Sequence, residues 1–229
     1  MAETFRSVLP LSAMERRRLD ELQERLHQLQ LELTVLREAE SENHELRRAL
    51  NLAPPAGWLR VPALVVARDP ISWDRRFRID HGSLDGVSAG NLVLVGERAV
   101  GRVVEVAART AMVATVLDPR CRLSVRLSDS RVTGVLLGGH QRDPATGREV
   151  AMIDFLPRDA LYRETERVET SGLSGYAPGG IVVGQVVKWD NWRVAEIVDM
   201  THARLKVAPA ADLTDFRVVS VLVPERREP

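Results

Sequence analysis

Hydrophobic spacing divides this chain into two regimes. Leu19, Leu22, Leu26, Leu29, Leu33 and Leu36 alternate steps of three and four, the a/d seam of a coiled coil. No Gly or Pro interrupts residues 11 to 53, and Glu32 (g) and Arg37 (e) are placed to pair between parallel partner helices. The narrow seam, with Arg, Glu and Gln around it, favours a partner helix over an amphipathic helix lying on its own domain. Strict heptads after Leu36 would put Glu40 and Arg47 in the seam; a three-residue shift, a stammer, puts Ala39, Asn43, Leu46 and Leu50 there instead. Asn43 falls in the seam either way, as a buried register device or at a splayed, wet end. Leu at both a and d leaves the number of strands open. Ala53-Pro54-Pro55-Ala56-Gly57 then ends the helix, because proline removes a donor and disfavours helix in the residue before it.

Beyond Trp58 the period changes to two. Short apolar or alternating runs predict strands at 60–66, 76–80, 92–95, 101–106, 112–117, 122–127, 131–137, 150–155, 181–187, 193–198, 204–207 and 216–223. Asp85-Gly86, Gly138-Gly139 and Asp143-Pro144 through Gly147 are turn chemistry, and Asp190-Asn191 between two Trp-bearing pairs reads as a two-residue hairpin. The densest glycine stretch, RVETSGLSGYAPGGIVVGQ from Arg167 to Gln185, marks backbone that turns through positive φ or admits a close neighbour before a β-branched run. Gly101-Arg-Val-Val-Glu-Val106 is echoed by Gly184-Gln-Val-Val-Lys-Trp189, 83 residues on, as two copies of one β module would be.

Composition narrows the function classes. The 229 residues can bury a real core, and 32 basic against 32 acidic residues argue against general nucleic-acid binding. One cysteine, Cys121, excludes an internal disulfide and a cysteine metal cage. No window resembles a membrane span or a signal peptide: the longest uncharged stretch, 170–187, carries five glycines and a proline.

Catalytic chemistry finds little footing. The histidines at 27, 44, 81, 140 and 202 form no metal-binding spacing, and phosphate-binding loops are absent. Ser171 and Ser174 are the only tempting nucleophiles, with His81 or His140 as base and Asp80 or Asp85 as orienting acid. They lack the G-x-S-x-G elbow and sit in turn sequence. No catalytic, metal or cofactor residues are assigned. Trp189 and Trp192, bracketing the expected hairpin, are candidate partner-binding residues.

Taken in order, several segments resemble the rod-shape-determining MreC family. They are Glu42-Asn43-His44-Glu45-Leu46-Arg47 at the end of the coil, Val65 through Asp69-Pro70-Ile71-Ser72-Trp73, and Ile79-Asp80-His81-Gly82 through Gly86-Val87. Val100-Gly101-Arg102-Val103, Arg131 through Leu136, Thr170-Ser171-Gly172-Leu173 with Pro178-Gly179-Gly180, and Val207 through Leu213 follow. The resemblance implies a non-enzymatic scaffold of the bacterial cell-elongation machinery at the periplasmic face of the inner membrane. Implied partners are the chain itself as a homodimer or filament, a class B penicillin-binding protein, MreD and MreB, with no nucleic acid and no small-molecule substrate. The family's membrane helix has no counterpart before Leu19, so anchorage is implied and not seen in the residues. The charged Glu97-Arg98-Ala99 departs from the more apolar approach expected before Gly101.

The expected fold is mainly β with an N-terminal α-helical coiled coil and two small β-barrel-like subdomains. Residues 1–18 form a flexible lead, 19–52 the dimerisation helix and 53–57 a Pro-rich linker. The β region runs over 58–224, one barrel from about 58–117 plus C-terminal strands and the other from about 118–199. The dimer interface is assigned to Leu19, Leu22, Leu26, Leu29, Leu33, Leu36 and Asn43.

Overall fold

A computed structural model describes residues 13–49, 57–69, 75–143, 146–190 and 193–225. The chain divides into two units, 1–53 and 54–229. The first is a single helix, α1 (Ala13–Ala49). Its 37 residues span about 55 Å at 1.5 Å per residue. The helix begins six residues ahead of Leu19, inside the expected lead. Ala13, Met14, Glu15 and Arg16 to Arg18 are all good helix formers, so propensity carries the helix past the point where the seam starts.

Among the described residues of the second unit, the regular structure is strand apart from one 3-10 turn at Ser83–Asp85. Its strands are β1 (Trp58–Arg68), β2 (Arg76–Ile79), β3 (Leu92–Val95), β4 (Arg98–Val106), β5 (Ala111–Thr115), β6 (Arg122–Leu127) and β7 (Thr133–Arg142). They continue with β8 (Glu149–Pro157), β9 (Arg167–Thr170), β10 (Val182–Val187), β11 (Ala195–Ile197), β12 (His202–Pro209) and β13 (Val218–Pro224). Two closed antiparallel rings result. The first runs β1-β2-β5-β4-β3-β13 and back to β1. The second runs β7-β8-β12-β10-β9-β6 and back to β7. Closure leaves no long sheet edge in either ring. A parallel pairing of Val182 with Arg98 links them, and β11 lies alone along β12.

The rings share one strand order. Pairing β1, β2, β3, β4 and β5 with β7, β8, β9, β10 and β12 reproduces every neighbour relation, with β13 standing where β6 stands. Only the sixth strand differs: it precedes the other five in the second ring and follows them, from the chain's end, in the first. The echo of 101–106 at 184–189 falls on the equivalent strands β4 and β10. Each glycine is there for the same reason. A Cβ on Gly101 would lie 2.1 Å from the Ala114 carbonyl oxygen, and one on Gly184 would lie 2.3 Å from that of Ala208. Both carbonyls precede the glycine's partner on the next strand, Thr115 and Pro209.

Two details differ from the sequence expectation. The second ring includes β12 to Pro209, past residue 199, because Ala203, Leu205 and Val207 point into its core. One strand, β9, lies where the pattern predicts none. It offers only Val168 as an apolar residue, and its second buried position is Thr170. Side chains inside both rings belong to a single buried cluster, from Phe77, Ile79 and Val113 in the first to Leu136, Ile153 and Leu205 in the second.

Candidate functional site

On α1, Leu22, Leu26, Leu29 and Leu33 are between 50% and 58% exposed. Fully burying one leucine is worth about 1.5–3 kcal/mol, so covering the half-exposed stripe would be favourable. Leu31 and Val35 are exposed as well, on the opposite side of the helix. Leu19, Leu36 and Asn43 belong to the helix, but their side chains lie outside the described residues.

The glycine-rich stretch forms the junction of the two rings. Thr170, fully buried, closes it: its hydroxyl donates to the Pro178 carbonyl and accepts the Ile181 N–H, while Gly180 N–H donates to the Thr170 carbonyl. That loop presents Tyr176 to the first ring. A Cβ on Gly90 (φ 98°) would come within 2.9 Å of the Tyr176 ring, so only a glycine admits it. Arg98 donates to the Ala210 carbonyl at 2.9 Å and Arg102 to that of Arg122 at 2.8 Å. Arg75 pairs with Glu149 at 2.8 Å and Arg76 with Asp118 at 3.0 Å. Arg68 caps the return to β13: it donates to the Leu213 and Phe216 carbonyls and stacks 4.3 Å from the Phe216 ring centre. The contacts of Tyr176, Arg98, Arg102 and Arg75 tie the two rings together.

Trp189 is half-buried at the base of its turn. Lys206 Nζ lies 4.7 Å above the ring and donates to the Trp189 carbonyl at 2.9 Å and the Arg142 carbonyl at 3.3 Å. That buried ammonium is held by two carbonyls and a π face, and it holds the ring in return. Trp189 N–H donates to the Arg193 carbonyl at 2.7 Å, and the Asp190 carboxylate accepts from Arg193. Trp192 lies outside the described residues.

The groups considered for hydrolysis are engaged separately. Ser171 Oγ pairs with Ser124 Oγ at 2.7 Å and accepts the Leu173 N–H at 3.2 Å. In the first ring, Asp80 accepts the Leu64 N–H and meets His81 Nδ1, both at 2.7 Å; Asp85 accepts the Gly82 N–H. His140 lies on β7 with its side chain outside the described residues, and Ser174 sits in an exposed turn. Burial pushes the Cys121 thiol up to about 12, far from a reactive thiolate. Among the described residues no group of three His, Cys, Asp or Glu could hold a metal ion, and no helix is long and apolar enough to cross a membrane.

At the far end of the second ring is a cleft with no signal in the sequence. The β6–β7 turn and the β8–β9 loop converge there, and Arg158 of that loop contacts the β11–β12 turn. Asp129, Ser130, Asp159, Leu161, Arg163 and Glu166 line a cavity of about 460 Å³. The three described non-glycine residues with positive φ, Arg131 (60°), Phe155 (63°) and Thr165 (66°), all lie at this end.

A family model described as "Rod shape-determining protein MreC, barrel core" matches residues 65–223. The cell shape-determining protein MreC of Listeria monocytogenes is 28% identical over 211 residues, covering 91% of this chain and 68% of that protein. Its Escherichia coli namesake is 26% identical over 193 residues, covering 83% of this chain and 49% of that protein. An MreC structure from Listeria monocytogenes superposes with a TM-score of 0.64 at 27% identity, covering 94% of this chain and 98% of that one. A structure described as a complex between penicillin-binding protein PBP2 and MreC from Helicobacter pylori shares the fold, with a TM-score of 0.58 at 18% identity, covering 74% of this chain and 99% of that one.

Proposed function

Because the chain belongs to the MreC family, we propose that it is a non-enzymatic scaffold of the bacterial cell-elongation machinery, acting by dimerising and by positioning peptidoglycan-synthesis proteins. The leucine stripe of α1 carries the reading. Leu19, Leu22, Leu26, Leu29, Leu33, Leu36 and Asn43 form the seam of a parallel two-chain stalk over 19–52. The linker at 53–57 joins it to the two-ring head. An apolar stripe flanked by charge, on a helix about 55 Å long, is stable in water only when a second helix covers it.

The head supplies rigid surfaces in place of chemistry. Its partner of choice is a class B penicillin-binding protein, supported by the fold shared with the Helicobacter pylori protein seen in complex with PBP2. MreD and MreB follow as further members of the assembly, with the head on the periplasmic side of the inner membrane. Trp189 and Trp192 remain candidates for partner contact, Trp189 with one ring face already held by Lys206. Depletion of the protein in its host is expected to turn rods into rounded cells, restored by the wild-type gene. Rods that keep their shape through depletion would discard the role in elongation and leave a generic coiled-coil adaptor.

A further inference from the structure

We propose that the loop end of the second ring is a docking site for a partner protein that inserts an arginine side chain beside Glu166. Glu166 is only 3% exposed, yet its carboxylate is half used. Oε1 accepts the N–H groups of Asp129 and Ser130 at 3.0 and 2.7 Å. Oε2 has no partner among the described residues, and neither does the hydroxyl of Ser130. Both residues line the same cavity, alongside Asp129 and Asp159. A buried, unpaired carboxylate oxygen costs several times what a satisfied one contributes, so folds keep one chiefly where something else completes it. Arg163 lines the cavity too, but no ion pair joins it to Glu166 among the described residues.

The cavity therefore offers three carboxylates against one guanidinium, and two residues, Glu166 and Ser130, that each carry an unpaired polar atom. That set calls for a cation with several donors. Oε2 and the Ser130 hydroxyl have no surface open to water, so completing them requires the Glu166 or Ser130 side chain to turn toward the cavity, and the incoming cation must shed its hydration shell. A guanidinium, more weakly hydrated than an ammonium and planar, does so at lower cost and carries enough donors for both residues. The surroundings point to a protein as the carrier. Leu161, on the cavity wall, is 87% exposed, and Met200 is 82% exposed. Met200 is tied to the same loop: Arg158 donates its N–H to Thr201 and contacts Met200 Sδ through its guanidinium. An apolar rim around a charged socket is the arrangement of a protein hot spot, in which surrounding contacts exclude water from a central polar anchor. Strained backbone concentrated at the same place is a further mark of a surface kept for binding and not for stability.

This inference is independent of the scaffold reading, and the test separates them because it needs neither the coil nor a cell. The full chain is titrated with N-acetyl-arginine-N-methylamide while amide resonances are followed by NMR. Saturating shifts centred on Asp129, Ser130 and Glu166 are expected, at least threefold stronger affinity than for the lysine analogue, and a loss of fivefold or more in Glu166→Gln. Asp159→Asn, on the open wall, is expected to weaken binding as well and serves if Glu166→Gln does not fold. The peptide acetyl-Leu-Arg-Leu-amide is expected to bind at least threefold tighter than the blocked arginine, an advantage removed by Leu161→Ala with Met200→Ala. Absence of saturation in the wild type, equal binding of the arginine and lysine probes, or affinity untouched by the carboxylate variants would overturn the socket. A peptide with no advantage over the blocked amino acid would overturn the protein partner.

Discussion

Single residues show what the head tolerates. Gly101 and Gly184 occupy the same point of the two rings, and at each an alanine methyl would be driven into a backbone carbonyl that has nowhere to retreat. Gly101→Ala and Gly184→Ala are each expected to cost roughly 2–4 kcal/mol in denaturant unfolding, the range for overpacking and backbone displacement combined. Gly139, where no positive φ is required and an added Cβ would meet only the flexible end of Met152 at 3.2 Å, serves as control. Phe155 is the reverse case: a bulky residue holds a left-handed conformation that glycine takes freely. Phe155→Gly is expected to raise the unfolding midpoint by the equivalent of about 0.5–1 kcal/mol, since relief of backbone strain outweighs the weak edge interaction between the ring and His202. A destabilised Phe155→Gly would mean the ring is part of the packed core. Asp80 adds a pH dependence. Burial pushes its carboxyl up, but His81 and the Leu64 N–H outweigh that and hold it below the ordinary carboxylate range. A group depressed on folding stabilises above its unfolded pKa of about 3.9 and loses that contribution as pH falls through the folded value. Asp80→Asn should therefore flatten the loss of stability below about pH 4 and leave the profile near neutrality parallel to the wild type.

At the scale of elements, legibility follows the side-chain period. The strand at 122–127 has the expected bounds because alternation there is clean, with Leu123, Val125 and Leu127 inside, and the one at 92–95 because its continuous apolar run is cut off by Asn91 and Gly96. β9 is hidden because a buried threonine, held by two hydrogen bonds, takes the place of an apolar residue and leaves no period to read. The glycine stretch declares a close approach, but its neighbour, Tyr176 over Gly90, is set by packing between rings. Nothing local to Glu166 distinguishes it from a solvated glutamate, since its role depends on Ser130 being brought beside it. The leucine stripe, by contrast, is legible from spacing alone. Leu26→Asp with Leu29→Asp places charge in the centre of the stripe, and each such charge buried without a partner costs several kcal/mol. Sedimentation equilibrium at micromolar concentration is expected to change from dimer to monomer, with the head's thermal transition unmoved. A wild type that is itself monomeric would remove the stalk.

For the whole molecule, the decisive feature is that the first ring is closed by the last strand. Each of β1 and β3 takes β13 as a neighbour, with Val219, Val221 and Leu222 buried behind the pairing. The second ring takes all six strands from the contiguous stretch 122–209. C-terminal strands are expected in this barrel, but local pattern does not say which of them pairs with Trp58–Arg68, because Val218–Pro224 is separated from it by nearly the whole head. It follows that the second ring can form once residue 209 has emerged, whereas the first must wait for residue 224. Ending the chain at residue 212 should therefore have unequal effects. The first ring is deprived of a strand, exposes two facing edges and gives up the Arg68 clamp on Leu213 and Phe216. Hydrogen exchange on the truncated chain is expected to show protection abolished across 58–115 and retained in the central strands of 122–209, together with a tendency to aggregate through the opened edges. Uniform loss would mean that the continuous core makes the two rings a single cooperative unit, and uniform retention that β13 is dispensable. Adding the excised strand as a peptide of residues 216–225 should restore protection to 58–115 in the first case alone, since only an opened but otherwise intact ring presents the gap that this strand fills.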